Sequence, residues 1–160
     1  MAAASPRITV RVGPDDFDVG AEIDALQAGD PAVGAVTSFV GYCRDEGGRL
    51  AALELEYYPG MAEAEIGRVV NEAVARWPLL AVTVIHRGGR IRPGERIVLV
   101  VVSSSHRDAA FAACDYVMDF LKTRAPFWKK EHPADRSEGG WVEAKAHDDA
   151  RAERWKDERD

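Results

Sequence analysis

The sequence predicts an α+β fold. Three observations carry this reading. Five short runs are apolar or alternate with a period of two, at residues 7–12, 34–42, 51–57, 80–86 and 96–103. Two longer runs, 61–76 and the segment after Ser105, repeat apolar residues at helical spacing. Gly88-Gly89 and Pro93-Gly94 sit between strands like hairpin turns, so the order departs from a regular strand–helix–strand series.

Residues 7–12 are rich in β-branched side chains and read as the first strand. Asp15 or Asp16 is placed to cap a helix running to about Ala28, with Phe17, Ile23 and Leu26 among its apolar positions. Gly29-Asp30-Pro31 ends it, and 34–42 returns as a strand before a polar loop at 44–49. In 51–57, Leu53, Leu55 and Tyr57 share one face, and Glu54 and Glu56 the other. Pro59-Gly60 turns the chain into the helix 61–76, stopped before Pro78. Residues 96–103 form the most apolar strand. Ser105 with Asp108 resembles a capping box for the long helix, whose core stripe is Ala110, Ala113, Cys114, Val117, Met118 and Leu121. Asp115, Asp119 and Lys122 share a polar face of it. Pro126 ends this helix, and a short strand, a turn at 137–140 and a last strand at 141–144 follow. Residues 1–145 form one expected domain, and the charge-dense 146–160 a solvated helix or tail.

Composition narrows the function. The 160-residue chain carries a formal charge of -6, which argues against a nucleic-acid binder. No apolar run approaches the roughly 18 residues of a membrane span, and the N-terminus lacks a signal-peptide core, so a cytoplasmic protein is expected. Cys43 and Cys114 make no disulfide framework. The four histidines show no ligand spacing, and phosphate-cradling glycine motifs are missing, so no metal or cofactor is expected.

Against that acidic background, Lys122, Arg124, Lys129 and Lys130 cluster around Pro126 with no acid among them until Glu131. A turn with lysines on both arms suits a small anion. Each cation also has a plainer explanation. Arg124 would be favoured by the helix dipole, and Lys122 by an ion pair with Asp119. His106 and Arg107 stand at the start of the long helix, where free N–H groups attract anions, though helix starts are common. Arg44 at a strand end either grips a phosphate or pairs with Asp45 or Glu46. Cys43 beside it is either an activated thiol or a packed strand residue.

A family resemblance joins these pieces. Its segments are Gly34-Ala35-Val36, Gly41 to Arg44-Asp45, Tyr58-Pro59-Gly60-Met61, Arg76-Trp77-Pro78 and Val84-Ile85-His86-Arg87. Pro93-Gly94-Glu95, Ser105-His106-Arg107 and Trp141-Val142-Glu143-Ala144 continue it. The most specific is Lys122-Thr123-Arg124-Ala125-Pro126-Phe127-Trp128-Lys129-Lys130-Glu131. In this order they resemble the large, catalytic subunits of molybdopterin synthase, the MoaE family. The resemblance implies an α/β hammerhead-type domain with a small additional antiparallel sheet. It implies a homodimer within a heterotetramer, flanked by a small ubiquitin-like sulfur carrier whose C-terminal Gly-Gly ends as a thiocarboxylate. The implied reaction converts cyclic pyranopterin monophosphate into molybdopterin by installing two dithiolene sulfurs.

Carried onto this chain, the resemblance makes Lys122 and Lys129 catalytic, and Arg44, His106, Arg107, Lys130 and Glu131 substrate contacts. Tyr42 and Cys43 stand where many relatives carry a basic residue, and Lys145 where relatives often carry arginine, so these three are secondary candidates. Two rival readings stay open: a persulfide sulfurtransferase using Cys43, and a non-catalytic adaptor for a ubiquitin-like protein. His106 and Lys122 lie about 24 Å apart along one predicted helix at ~1.5 Å per residue. Both reach one substrate only if a two-fold dimer shares its sites, with His106 and Arg107 supplied by the second copy.

Overall fold

The computed structural model describes residues 4–137, 139–142 and 146–156. Two four-stranded sheets organise the chain. The first has β1 (Arg7–Gly13), β4 (Leu79–Arg87), β6 (Arg96–Ser104) and β2 (Ala35–Tyr42) in that spatial order. β1 runs parallel to β4, while β4–β6 and β6–β2 are antiparallel. The second sheet orders β5 (Gly89–Ile91), β3 (Leu50–Glu56), β7 (Trp128–Pro133) and β8 (Gly140–Val142), all antiparallel. The mixed α+β architecture agrees with the sequence expectation, including the small additional antiparallel sheet.

The apolar run of β6 has a structural cause: both faces of the first sheet are covered. Val98, Val100 and Val102 join Val82 and Val84 beneath α2 (Met61–Arg76) and α3 (Arg107–Arg124). The alternate residues Leu99 and Val101 join Ala81 and Ile85 beneath α1 (Val19–Gln27). A smaller cluster of Cys43, Leu50, Leu55 and Ile91 lies under the second sheet, and Ile97 and Phe127 pack against both it and the α2–α3 core.

Several local expectations are corrected. The cap of α1 is Asp18, whose Oδ1 accepts the Ala21 N–H at 3.0 Å. Asp16 is instead occupied by the Phe17 N–H and the Arg96 guanidinium. The Ser105–Asp108 capping box does not form. His106 is the N-cap of α3 without a side-chain capping bond, and Ser105 Oγ donates to the Ala32 carbonyl at 3.0 Å. β5 occupies part of an expected loop.

The charge-dense C-terminus is also more than a solvated face. It forms α4 (Ala146–Glu153), and Ala152 and Trp155 are buried. Asp119, read from sequence as surface, is 5 % exposed. It accepts from Arg151 Nε at 3.1 Å, Arg154 Nη2 at 2.8 Å and Trp155 Nε1 at 2.6 Å.

Candidate active site

Pro126 sets the local geometry. α3 is capped by Ala125 in an extended conformation, and β7 begins at Trp128. A proline cannot continue the helix and disfavours helical backbone in the residue before it. Lys122 therefore stands in the last turn of α3 and Lys129 near the start of a strand, and the chain between them folds back. Both lysines line one narrow cavity of ≈ 100 Å³ between the end of α3, β2 and β7. Tyr42, His86, Met118 and Phe127 complete much of its wall. It is roomy enough for a reacting group and too small for a whole pterin.

The plainer explanation of Lys122 fails. Asp119 is committed to Arg151, Arg154 and Trp155, and among the described residues no carboxylate pairs with Lys122. The plainer explanation of Arg124 holds: its guanidinium reaches Glu72 at 2.9 Å and Glu65 at 3.3 Å and ties α3 to α2.

The remaining candidates fall in different places. In β7 the side chains alternate, so Lys129 and Glu131 share one face and Lys130 takes the other. Glu131 meets Arg49 at 3.5 Å. Lys130 lies opposite Glu54 with its ammonium 5.9 Å from the Trp141 ring centroid. Arg44, just past β2, is largely exposed and 3.8 Å from Glu46. His106 and Arg107 are exposed at the far end of α3, about 24 Å from Lys122 at ~1.5 Å per residue. α3 is one unbroken helix, so a single chain does not bring these two groups to the lysine cavity. Lys145 lies outside the described residues.

Cys43 packs as a core residue, 3 % exposed, with Sγ 3.9 Å from the Ile91 carbonyl. Burial pushes its thiol pKa up, and Glu95 adds to the effect. That is the opposite of an activated nucleophile. Cys114, in the α3 core stripe, is pushed up to about 12 by burial.

One lining residue escaped the sequence reading. His86 shares the face of β4 that carries Val82 and Val84, where the strand runs under the end of α3. Its ring stacks on Phe127 with centroids 3.8 Å apart and planes 16° off parallel. Its Nδ1–H donates to the Arg87 carbonyl at 2.8 Å. Burial lowers its pKa to about 4, the Arg87 bond opposes the shift, and the charges of Lys129 and Lys122 lower it further. The imidazole is therefore neutral at physiological pH, with Nε2 as an unprotonated acceptor. The available signal was a lone histidine ending a strand otherwise buried on both faces.

Comparison with known proteins bears on this arrangement. The family model described as MoaE protein matches residues 12–124. A protein of Mesorhizobium japonicum named molybdopterin synthase catalytic subunit is 68% identical over 148 residues, covering 92% of this chain and 93% of that one. The chain belongs to the MoaE family. A Rhizobium meliloti protein of the same name is 60% identical over 148 residues, covering 92% of this chain and 96% of its own. The solved MoaE protein of Burkholderia ambifaria superposes with a TM-score of 0.80 at 48% identity, covering 93% of this chain and 98% of that one. The MoaE match spans Arg44, His106, Arg107 and Lys122, and ends before Lys129. Among the described residues, no helix of this MoaE-family chain is long and apolar enough to cross a membrane.

Proposed function

We propose that this chain is the catalytic subunit of a molybdopterin synthase. It transfers sulfur from the C-terminal thiocarboxylate of a small ubiquitin-like carrier to cyclic pyranopterin monophosphate. The observation that carries the reading is the meeting of Lys122 and Lys129 in one cavity on opposite arms of the Pro126 turn. Relatives of 68% and 60% identity named as this subunit support it. The chain acts in the cytoplasm, as a homodimer within a heterotetramer.

The chemistry follows from the charges. The thiocarboxylate and the substrate phosphate are both anions, and two ammonium groups at a narrow mouth lower the cost of bringing them together. Lys122 and Lys129 neutralise charge that builds up as sulfur is delivered, and exchange protons with the reacting atoms. Sulfur arrives on the carrier, which is left with a C-terminal carboxylate, so no cysteine of this chain is needed. The small cavity holds only the reacting end. Arg44 and Glu131 contact the substrate outside it, and Lys130 reaches it from the other face of β7, between β3 and β8. His106 and Arg107 come from the second copy, where the N-terminus of α3 supplies anion-attracting N–H groups. Tyr42 borders the same cavity, while Cys43 has only a packing role. Residues 1–145 make the catalytic domain, with 146–160 as its appended segment.

The test is reconstitution. Purified protein, thiocarboxylated carrier and cyclic pterin are combined, and dithiolene product is quantified. Product that depends on all three supports the proposal; no product with a demonstrably loaded carrier refutes it.

A further inference from the structure

A wide groove of ≈ 720 Å³ opens beside the lysine cavity and shares Phe39, Met118 and Lys122 with it. Four aspartates border the groove, and Asp119 is the one that stands a single helical turn before Lys122. At that i, i+3 spacing a lysine and a carboxylate on one helix ordinarily attract each other. Here the C-terminal segment has taken the carboxylate. Arg151 Nε donates to Asp119 Oδ1 at 3.1 Å, and Arg154 Nη2 and the Trp155 indole donate to Oδ2 at 2.8 and 2.6 Å. The same two arginines occupy both oxygens of Asp115, one turn earlier, at 2.9 and 2.6 Å. Two guanidinium groups thus answer two carboxylates, and among the described residues no carboxylate pairs with Lys122. Its charge stays available to an incoming anion.

We propose that Arg151 and Arg154 are positioning residues of the sulfur-transfer site: by holding Asp119 they keep its carboxylate off Lys122 and leave the ammonium to the cavity. Neither arginine has to touch the substrate. Without them, Asp119 draws Lys122 back along α3, in a groove where Asp119 is 5 % exposed and an ion pair is poorly screened. This shield differs from a mechanical brace in one respect. A brace needs the Asp119 carboxylate as its anchor, whereas a shield needs only that the carboxylate stay away from Lys122. Removing the carboxylate charge therefore harms a brace and relieves a missing shield. This inference rests on the assignment of Lys122 to the catalytic site.

Three full-length variants separate the two roles, each assayed in the reconstituted complex at a temperature where circular dichroism shows it folded. The double variant Arg151→Gln with Arg154→Gln should lower kcat by about fivefold or more. Adding Asp119→Asn to that pair should return kcat to within about twofold of wild type. Asp119→Asn alone should stay within about twofold as well, although it costs stability. A second readout needs no turnover: acetylation of Lys122 by acetic anhydride at one mildly alkaline pH, read by mass spectrometry relative to Lys130 in the same sample. A carboxylate beside an ammonium slows its acetylation, so Lys122 should react about threefold slower or more in the double variant and near the wild-type rate in the triple one. If the double variant does not fold, Arg154→Gln alone takes its place, with and without Asp119→Asn, and the same pattern is expected. An unchanged kcat in the double variant overturns the proposal. So does a triple variant no better than the double one, or an Asp119→Asn protein as impaired as the double variant, since both mark a brace. If the wild-type complex makes no product, the functional assignment falls, and the Lys122 labelling pattern still decides whether the two arginines shield it.

Discussion

Asp119 and Asp115 face the same two arginines of the C-terminal segment, yet they should differ sharply in what they contribute. Asp115 is 42% exposed, so its contacts with Arg151 and Arg154 are screened, and Asp115→Ala should cost below about 1 kcal/mol. Asp119 is almost wholly buried and also accepts the Trp155 indole N–H. In Asp119→Asn one oxygen can still accept that bond, and the charge is lost. A charge-assisted bond is worth roughly 1.5–3 kcal/mol, and half-exposed arginines call for the lower end, so about 2 kcal/mol is expected. Asp119→Ala also strands the buried indole N–H, which raises the loss to roughly 3–4 kcal/mol. For a chain of this size that is a Tm drop of very roughly 6–15 °C. Urea melts of the three variants measure the differences, and hydrogen exchange over residues 148–156 should show the C-terminal helix opening before the rest. An Asp119→Ala loss within about 0.5 kcal/mol of Asp115→Ala would refute burial as the deciding factor.

Three further outcomes are expected. Lys122→Ala and His106→Ala proteins, each inactive alone, should regain partial activity after subunit exchange, because each mixed dimer has one undamaged shared site; verified mixed dimers that stay dead exclude sharing. Gly88→Ala forces the Tyr57 ring off its seat and so disturbs Phe127 and His86. It should lower kcat more than Gly67→Ala, whose added methyl meets nothing within 4 Å, and equal activity in the two would show the ring stack to be irrelevant. His86 has a folded pKa of about 4 against an ordinary 6.5, so the unfolded chain takes up its proton first as pH falls. Its contribution is complete above about pH 6.5 and lost towards pH 4, by up to about 3 kcal/mol, and a wild-type minus His86→Phe stability difference that stays flat over that range contradicts it.

Much of the fold could be read from the chain because its signals are local. Period-two runs, the helical stripe of α3 and the break at Pro126 each act over a few residues. The α1 cap was misplaced because three aspartates stand within four residues, and only the distant Arg96 draws Asp16 away from capping. The role of Asp119 was hidden for a similar reason. It looks like surface at helical spacing until α4, about thirty residues on, brings two arginines and a tryptophan to it. Lys122 and Lys129 were legible as a pair because the proline turn joins them locally. His86 was not, because it reaches the cavity from a strand about forty residues away. The contiguous Lys129-Lys130-Glu131 also misleads as a single cluster, since strand alternation sends the middle residue to the other face.

The most direct measurement compares Cys43→Ala and Lys122→Ala side by side in a single turnover with thiocarboxylated carrier and cyclic pterin. Cys43 is core and sulfur comes from the carrier, so Cys43→Ala should form dithiolene product at close to the wild-type rate. Lys122→Ala should fold and bind the carrier, and form product slower by on the order of a hundredfold or more. A dead Cys43→Ala protein beside an active Lys122→Ala protein would contradict the account and place the sulfur on this chain instead.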